Sequence, residues 1–566
     1  MADLGDDSRL RYSDEPPEDL TSIQDTAPLL EIEVDDTVVG ASDAEDDDEN
    51  DRGLPGATKG RAHARPWRRH RWYQVRSPRA VVATVALMLF VMVLGVVVLL
   101  IPLARLIEDD LCRRHYGTSA PVPEEKCKVD EVQMRLAWLG GWAGVVNAIT
   151  ELVVSFPWGL LADRFGRKPI LWASFAGILM SICWSCFVIS RPDLMPVELT
   201  LLGTLFAVFG GGPATAVTVI HAIIADVATD KASAFMWTSI GAIGGVVIGP
   251  ALAAHMMESA SSPWVPVRAA CTALVPILVA LVILPETRPA GGTAEAGTSS
   301  DTIMKEGFWK MLRAQLSESL SSLRSSVHML RRASILCVMP SFFVTQPVTT
   351  VQGATLGLTF SKKFGWKMAQ LGYFFSARGL LTILVLALLP LLIKSRSKDG
   401  GGGGSGGGVG VGRDLHLARA SMLFMALANL LTGLGLEAVP LLAAGQLALT
   451  LSVGSGSLSR SLLAGLAGGP DQTARLYALA GMVETVGSLV AGPTLPWAFA
   501  VGVRAGGAWM GIPFWLVAVL CALALAALLC VRRDEPGGGC GAGDQERAEE
   551  GVAGRGSDAE ESEVRP

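Results

Sequence analysis

The stretch "GLLADRFGRK" (residues 159–168) lies directly between two long apolar runs, "GVVNAITELVVSFPW" (144–158) and "PILWASFAGILMSICW" (169–184). A membrane helix needs about 20 mainly apolar residues to cross ~30 Å of hydrocarbon. Asp163, Arg164, Arg167 and Lys168 therefore mark a place where the chain leaves the bilayer between two crossings. Applied along the whole sequence, the same window predicts twelve spans. The first six lie near 80–104, 134–160, 169–190, 199–225, 233–256 and 265–284. The second six lie near 334–356, 369–393, 416–436, 441–463, 476–500 and 510–531. The expected fold class is all-α and integral to the membrane, with twelve transmembrane helices arranged as two pseudo-symmetric six-helix bundles.

Composition agrees with this. Half of the 566 residues are hydrophobic and only 18% are charged, where a soluble domain carries nearer a quarter. Mean hydropathy is +0.42. The net charge of −6 comes from acidic tails such as "SDAEDDDEND" (42–51), which offer nothing to build a core from. By contrast "RAHARPWRRHRWYQVRSPR" (61–79) is basic and abuts the first apolar run, as an orientation signal or a contact with anionic lipid would. Nucleic acid is not an expected partner. No secretory signal is expected in the first 79 residues, which are polar where a basic and then apolar leader is needed.

Five units follow from these patterns. They are a cytoplasmic tail (1–79, acidic then basic), a first six-helix bundle (80–287), a linker (288–333), a second bundle (334–531) and a cytoplasmic tail (532–566). In the linker, Phe308, Leu312, Leu316, Leu320, Leu323, Val327 and Leu330 recur at helical spacing, as on a helix lying along the membrane surface. The glycine-rich segment 399–413 reads as a flexible loop, because no Gly-Lys-Ser/Thr follows it and no strand precedes it. Arginines before the first span, "DRFGRK", "PETR" after the sixth span and "KSRSK" after the eighth all fall on one side if both termini are cytoplasmic. "KKFGWK" after the seventh span runs against that bias.

The halves resemble each other. "DKASAFMWTSIGAIGGVVIGPALA" precedes the end of the fifth span and "DQTARLYALAGMVETVGSLVAGPTLP" occupies the eleventh. Each carries a helix-breaking Gly-Pro, Gly249-Pro250 and Gly492-Pro493. "AWLGGW" (137–142) likewise matches "AQLGYF" (369–374). Repeated halves with Gly/Pro-interrupted helices point to a transporter that rocks about a midplane site.

Gly159, Asp163, Arg164, Gly166, Arg167 and Lys168, between the second and third of twelve spans, resemble the signature loop of the major facilitator superfamily. The likeness is strongest to fungal members, including drug:proton antiporter-like and proton-coupled folate-transporter-like branches. It implies a secondary carrier that moves a small solute by alternating access, coupled to protons. It also implies that this loop clamps the two halves on the cytoplasmic side and that Arg167 pairs with Asp226. Finally, it implies that the second span meets the eleventh and the fifth meets the eighth. Two departures leave symport and antiport side by side. "TLFAVFGGGPATA" lacks the arginine of the antiporters' fourth helix, and "GVVIGPALAA" has Ala253 and Ala254 where their motif ends in glycines.

Ionisable groups at membrane depth usually face a cavity or a partner. Glu151 precedes Asp163 by twelve residues and so lies roughly 18 Å deeper. With Asn147 and Ser155 it forms one polar stripe. Arg378 and Glu484 are the other deep charges. Glu151 is the proton-coupling candidate and Arg378 a contact for an anionic substrate group or an acid; fixed ion pairs or interhelical hydrogen bonds are the structural alternative. Gln346, Thr350 and Gln352 give the seventh span a polar face that either lines a cavity or bonds adjacent helices. His221 reads as a packing histidine, and Arg460 as a side chain snorkelling to the interface.

Cys112 and Cys127 share a polar loop assigned to the non-cytoplasmic side, where a disulfide is expected, with two free thiols as the alternative. Asp25, Leu29 and Leu30 resemble an acidic dileucine sorting signal for a coat adaptor, which allows a plasma or vacuolar membrane address. No HExxH, GxSxG or ATP-binding motif is present, so no enzyme, metal or cofactor is expected. The expected partners are a small-molecule solute, protons and lipid, around a monomer. A solute sensor without net flux is the rival function.

Overall fold

A computed structural model of the chain describes residues 74–75, 77–118, 120, 122–228, 231–287, 332–398, 407–466 and 470–531. The sorting signal at Asp25, Leu29 and Leu30 and the surface helix Phe308 to Leu330 lie outside these residues, as do the side chains of Ser155, Asp163 and Arg164. Among the described residues, twelve helical segments are long and apolar enough to cross a membrane. They are α1 (Pro78–Tyr116), α2 (Asp130–Phe165), α3 (Arg167–Ser190), α4 (Val197–Val227), α5 (Lys231–Ala260) and α6 (Trp264–Ile283), then α7 (Ala333–Phe364), α8 (Met368–Lys398), α9 (Gly407–Leu434), α10 (Val439–Gly465), α11 (Pro470–Ala505) and α12 (Gly507–Leu529).

Two segments expected as loops are helical. α1 runs through "EDDLCRRHY" because Asp109–Arg113 (2.5 Å) and Asp110–Arg114 (2.9 Å) are opposite charges one turn apart, which support a helix. It stops at Gly117, whose φ of 62° provides the left-handed cap. α9 begins at Gly407, inside the stretch read as a glycine linker.

Helix breaks fall where glycines or close packing require them. The first part of α4, Val197–Phe209, is a 3-10 helix, and the α-helical part begins only at Gly212. Between them Gly211 has φ 80°, and a side chain on Gly210 would stand 2.1 Å from the Ala173 carbonyl. The triple glycine thus lets α4 break against α3. α7 carries a π turn at Val351–Thr355. α10 breaks after Leu451, where the Ser452 carbonyl accepts from Ser455 N at 3.0 Å and from Ser421 Oγ at 3.1 Å, so that backbone inside the membrane stays bonded.

Spans α1–α6 and α7–α12 form two bundles that meet where α2 packs on α11 and α5 on α8. Both crossings are backbone to backbone. A side chain on Gly141 would lie 2.2 Å from the Gly492 carbonyl and 2.5 Å from the Pro496 ring. One on Gly372 would lie 2.4 Å from the Pro250 carbonyl. Each Gly-Pro is therefore faced by a glycine of the other half, but neither breaks its helix as expected: α5 runs unbroken through Gly249-Pro250 and α11 through Gly492-Pro493. The facing glycine is Gly141, not the Gly140 that the matched strings align with Gly372. Small residues that let helix backbones touch are a main source of association in lipid, where hydrophobic burial drives little.

Candidate functional site

One end of the bundle carries the Gly159–Lys168 motif and the other the Cys112–Cys127 disulfide. At the motif end Gly166 adopts φ 109° and ψ 159°, a region open essentially to glycine alone. That turn brings the first amides of α3 onto a carboxylate the sequence reading did not single out. Glu286 accepts from Arg167 N (2.9 Å) and Lys168 N (3.2 Å), and so caps a positive helix start. Lys168 Nζ returns the favour by donating to the Val282 (2.9 Å) and Leu284 (2.7 Å) carbonyls at the end of α6. Arg167 Nε lies 3.4 Å from Asp226 Oδ2 on α4. α3, α4 and α6 are thus knotted together at the motif. An added Cβ at Gly166 would sit 2.6 Å from Glu286 Oε2. Gly166→Ala is expected to displace the cap and lower stability by about 1–3 kcal/mol, read by thermal unfolding in detergent.

The second half repeats this device where its sequence motif is degraded. Arg419 of α9 donates to the carbonyls of Leu528 (3.1 Å) and Val531 (3.1 Å) at the end of α12. Lys168 does the same for α6, so the repeat persists in capping chemistry.

At mid-depth the candidates separate. Glu151 is half-buried with the Asn147 amide as hydrogen-bonding neighbour, and no Lys or Arg pairs with it among the described residues. Glu484, in contrast, pairs with Arg460 (Oε1 to Nη2, 3.0 Å), and Tyr477 Oη donates to the Arg460 carbonyl. Arg460 is therefore an ion-pair partner rather than a lone snorkelling cation. His221 packs beside Phe235, ring centroids 5.7 Å apart.

Arg378 is the centre of a polar lattice. Its Nη1 donates to the Gln352 main-chain carbonyl (2.8 Å) and to Gln446 Oε1 (3.4 Å). Gln446 Nε2 donates to Gln352 Oε1 (3.3 Å) and Thr432 Oγ1 (3.2 Å). Gln352 Nε2 donates to Asn429 Oδ1 (3.0 Å). Gln352 is only 3% exposed, so its side chain bonds neighbouring helices and does not line a cavity. Gln346 is half-buried, and its carbonyl accepts from Thr350 Oγ1. Asn429 and Gln446 were missed in the sequence, although each is the single side-chain amide of its span and that was the available signal.

At the disulfide end a second cluster was also missed. Glu108 is 0% exposed and accepts from Lys128 Nζ (2.8 Å), Gln133 Nε2 (2.6 Å) and Arg105 Nη1 (3.1 Å). Glu124 lies 3.4 Å from Arg105 and 3.2 Å from Lys128, and it accepts from Met368 N at the start of α8 (2.8 Å). Lys362 of α7 donates to the Lys128 carbonyl (2.6 Å) and pairs with Asp130. Tyr373 Oη donates to Glu258 (3.0 Å), and Ser376 Oγ accepts from Ala251 N (2.8 Å). These bonds join the two halves. Cys112 and Cys127 form the expected bridge, which holds the Glu124–Lys128 segment in reach of the second half.

The Major Facilitator Superfamily model matches residues 138–491. The chain is 29% identical over 464 residues to the MFS efflux pump atnC of Emericella nidulans, covering 78% of this chain and 86% of that protein. It is 27% identical over 453 residues to the MFS-type transporter aprT of Aspergillus flavus, covering 77% and 84%. Among solved structures, the nucleoside transporter NupG aligns over 80% of this chain and 98% of its own, with a TM-score of 0.52 at 12% identity. A D-xylose-proton symporter aligns over 80% and 97%, with a TM-score of 0.50 at 13% identity. At these identities the structures speak to the fold alone. With its twelve spans, its signature loop and a family match covering well over half its length, the chain belongs to the major facilitator superfamily, as a multi-pass membrane protein for secondary transport of small solutes.

Proposed function

We propose that this chain exports a small organic solute by alternating access, driven by protons that Glu151 carries. The observation that bears the proposal is the Glu151 carboxyl. It stands at mid-depth on α2, which makes one of the two crossings between the halves, and no cation among the described residues neutralises it. A carboxyl left without a counter-ion at that depth is suited to gain and lose a proton. The efflux pump among the relatives supports export as the direction. The arginine bias supports a cytoplasmic motif end and cytoplasmic termini. The bonds that Met368, Lys362 and Tyr373 make across the halves lie at the disulfide end, which fits a conformer closed outside and open inside. In that conformer the Gly159–Lys168 loop is knotted within its own half, ready to meet the other half when the inner end closes.

Purified protein in proteoliposomes, given a pH jump and a panel of fluorescent organic solutes, tests this. A one-unit gradient is worth ~1.4 kcal/mol per proton, or about tenfold solute accumulation. Wild type is expected to approach that ratio. Glu151→Gln is expected to bring it to about unity while counterflow exchange continues. Unchanged pH-driven accumulation in Glu151→Gln removes Glu151 from the coupling.

A further inference from the structure

Arg378 sits ten residues into α8 from Met368, about 15 Å down the helix axis and near the middle of the bilayer. Gly372, Ser376 and Gly379 form the face of α8 that meets α5. Arg378 points the other way, toward α7 and α10. Its bonds to the Gln352 carbonyl and Gln446 both use Nη1. Nε and Nη2, the edge of the guanidinium that binds carboxylates two-pronged, make no bond among the described residues. The residue is partly exposed, and its charge lies 5.2 Å from the centre of the Phe375 ring.

The lattice explains how the group is held. The π turn at Val351–Thr355 widens the α7 ladder, and such turns recur at functional sites. Here the Gln352 carbonyl is turned to the guanidinium. The Gln352, Gln446, Asn429 and Thr432 side chains bond one another, so Nη1 is fixed by a network that carries no charge. A cation held at mid-membrane by neutral partners is costly. It is retained where an anion completes it.

We infer that Arg378 is the receptor for a carboxylate on the transported solute, which docks on Nε and Nη2 with its apolar or aromatic body against Phe375. The substrate class is therefore amphipathic organic acids. This inference rests on the transport reading for its meaning, but its test is a binding measurement that stands without flux.

The test is the thermal unfolding shift of the detergent-solubilised full chain with 2-naphthoate, compared with the neutral isostere 2-naphthamide. Wild type is expected to be stabilised by the carboxylate and not by the amide. Arg378→Gln is expected to weaken naphthoate at least about tenfold, the lower end for a lost charge-assisted hydrogen bond. Arg378→Lys keeps the charge without the fork and is expected to fall between. Equal shifts with acid and amide, no shift with either, or an unchanged naphthoate response in Arg378→Gln overturns the inference. So does restoration of Arg378→Gln flux by Glu151→Gln or Glu484→Gln, which would make the guanidinium a partner of a protein carboxylate. pH-driven flux of a neutral solute unaffected by Arg378→Gln leaves transport standing while the acid class falls. Acid-selective binding without any flux does the reverse.

Discussion

Gly141→Val is expected to abolish transport while leaving insertion intact. The new Cβ would lie 2.2 Å from the Gly492 carbonyl and 2.5 Å from Cγ of Pro496. Neither is the end of a flexible side chain, so relief requires α2 and α11 to part by roughly 1 Å to reach ordinary contact at ~3.5 Å. That parting occurs where the halves touch, and it pulls on the bonds from Lys362 and Met368 to the first half. Overpacking of this kind costs ~1–3 kcal/mol against the closed disulfide end, up to about a hundredfold in its population. A carrier that cannot close at one end cannot complete a cycle. Spin labels at the exposed Ser259 and Lys367, in a background without reactive thiols, are expected to move apart, and flux to fall to background. Gly372→Val is expected to act alike at the other crossing, where the Pro250 carbonyl is 2.4 Å from the added atom. The controls are Gly140→Ala and Gly144→Ala, which meet nothing within 4 Å. They keep flux and gain helix stability of about 0.5–1 kcal/mol each. A Gly141→Val protein that transports normally, with unchanged label distances, would show that the crossing is not a closure contact.

Much of this architecture was legible because it is written in short-range patterns. The spans follow from apolar length, and "GLLADRFGRK" carries the family on its own residues. The Gly-Pro pairs mark α5 and α11, and they are indeed where the halves meet. What could not be read depends on groups far apart in sequence that the fold brings together. Nothing in "PETR" says that Glu286 caps α3, since that requires α6 to end beside the Gly166 turn. Nothing in "ARASM" says that Arg419 closes α12. The π turn of α7 has no residue signature, and the bonds of its Gln352 reach Asn429 and Gln446 on two other helices. "KKFGWK" looked like an exception to the charge asymmetry. The fold supplies its reason: Lys362 is paired with Asp130 and Lys363 with Glu437 at 2.6 Å, so neither lysine stands there as a free charge. The loop after α1 was misread for a related reason. It was expected as a polar loop, whereas its charges are helical pairs and the start of a buried cluster.

That cluster makes Glu108→Ala the substitution with the largest expected loss of stability. Glu108 is fully buried and takes three donors, two of them charged, on its two oxygens. Its removal leaves Arg105 and Lys128, side chains 12% and 9% exposed, to share Glu124. Breaking a buried pair from one side costs ~3–5 kcal/mol, and here two nearly buried cations are left to one carboxylate with little water to make up the loss. Asp109→Ala is the contrast. Its pair with Arg113 is partly exposed, 19% and 28%, and is worth ~1 kcal/mol or less. The loss should also be directional. Glu124, drawn toward two unbalanced cations, lets go of Met368 N, one of the bonds that join the two halves at the disulfide end. Glu108→Ala is therefore expected both to melt well below Asp109→Ala in detergent and to lengthen the Ser259–Lys367 label distance. The bridge limits the damage. Cys112 follows Glu108 by one turn and Cys127 precedes Lys128, so the disulfide keeps the segment near its place after the carboxylate is gone. Cys112→Ser alone is expected to be mild, since the ion cluster still holds the segment. Combined with Glu108→Ala it is expected to lose more than the sum of the two, the mark of residues that act through one contact. Strict additivity would mean that bridge and cluster hold different parts of the chain. A Glu108→Ala protein that melts with Asp109→Ala would mean that the buried carboxylate is not what organises them.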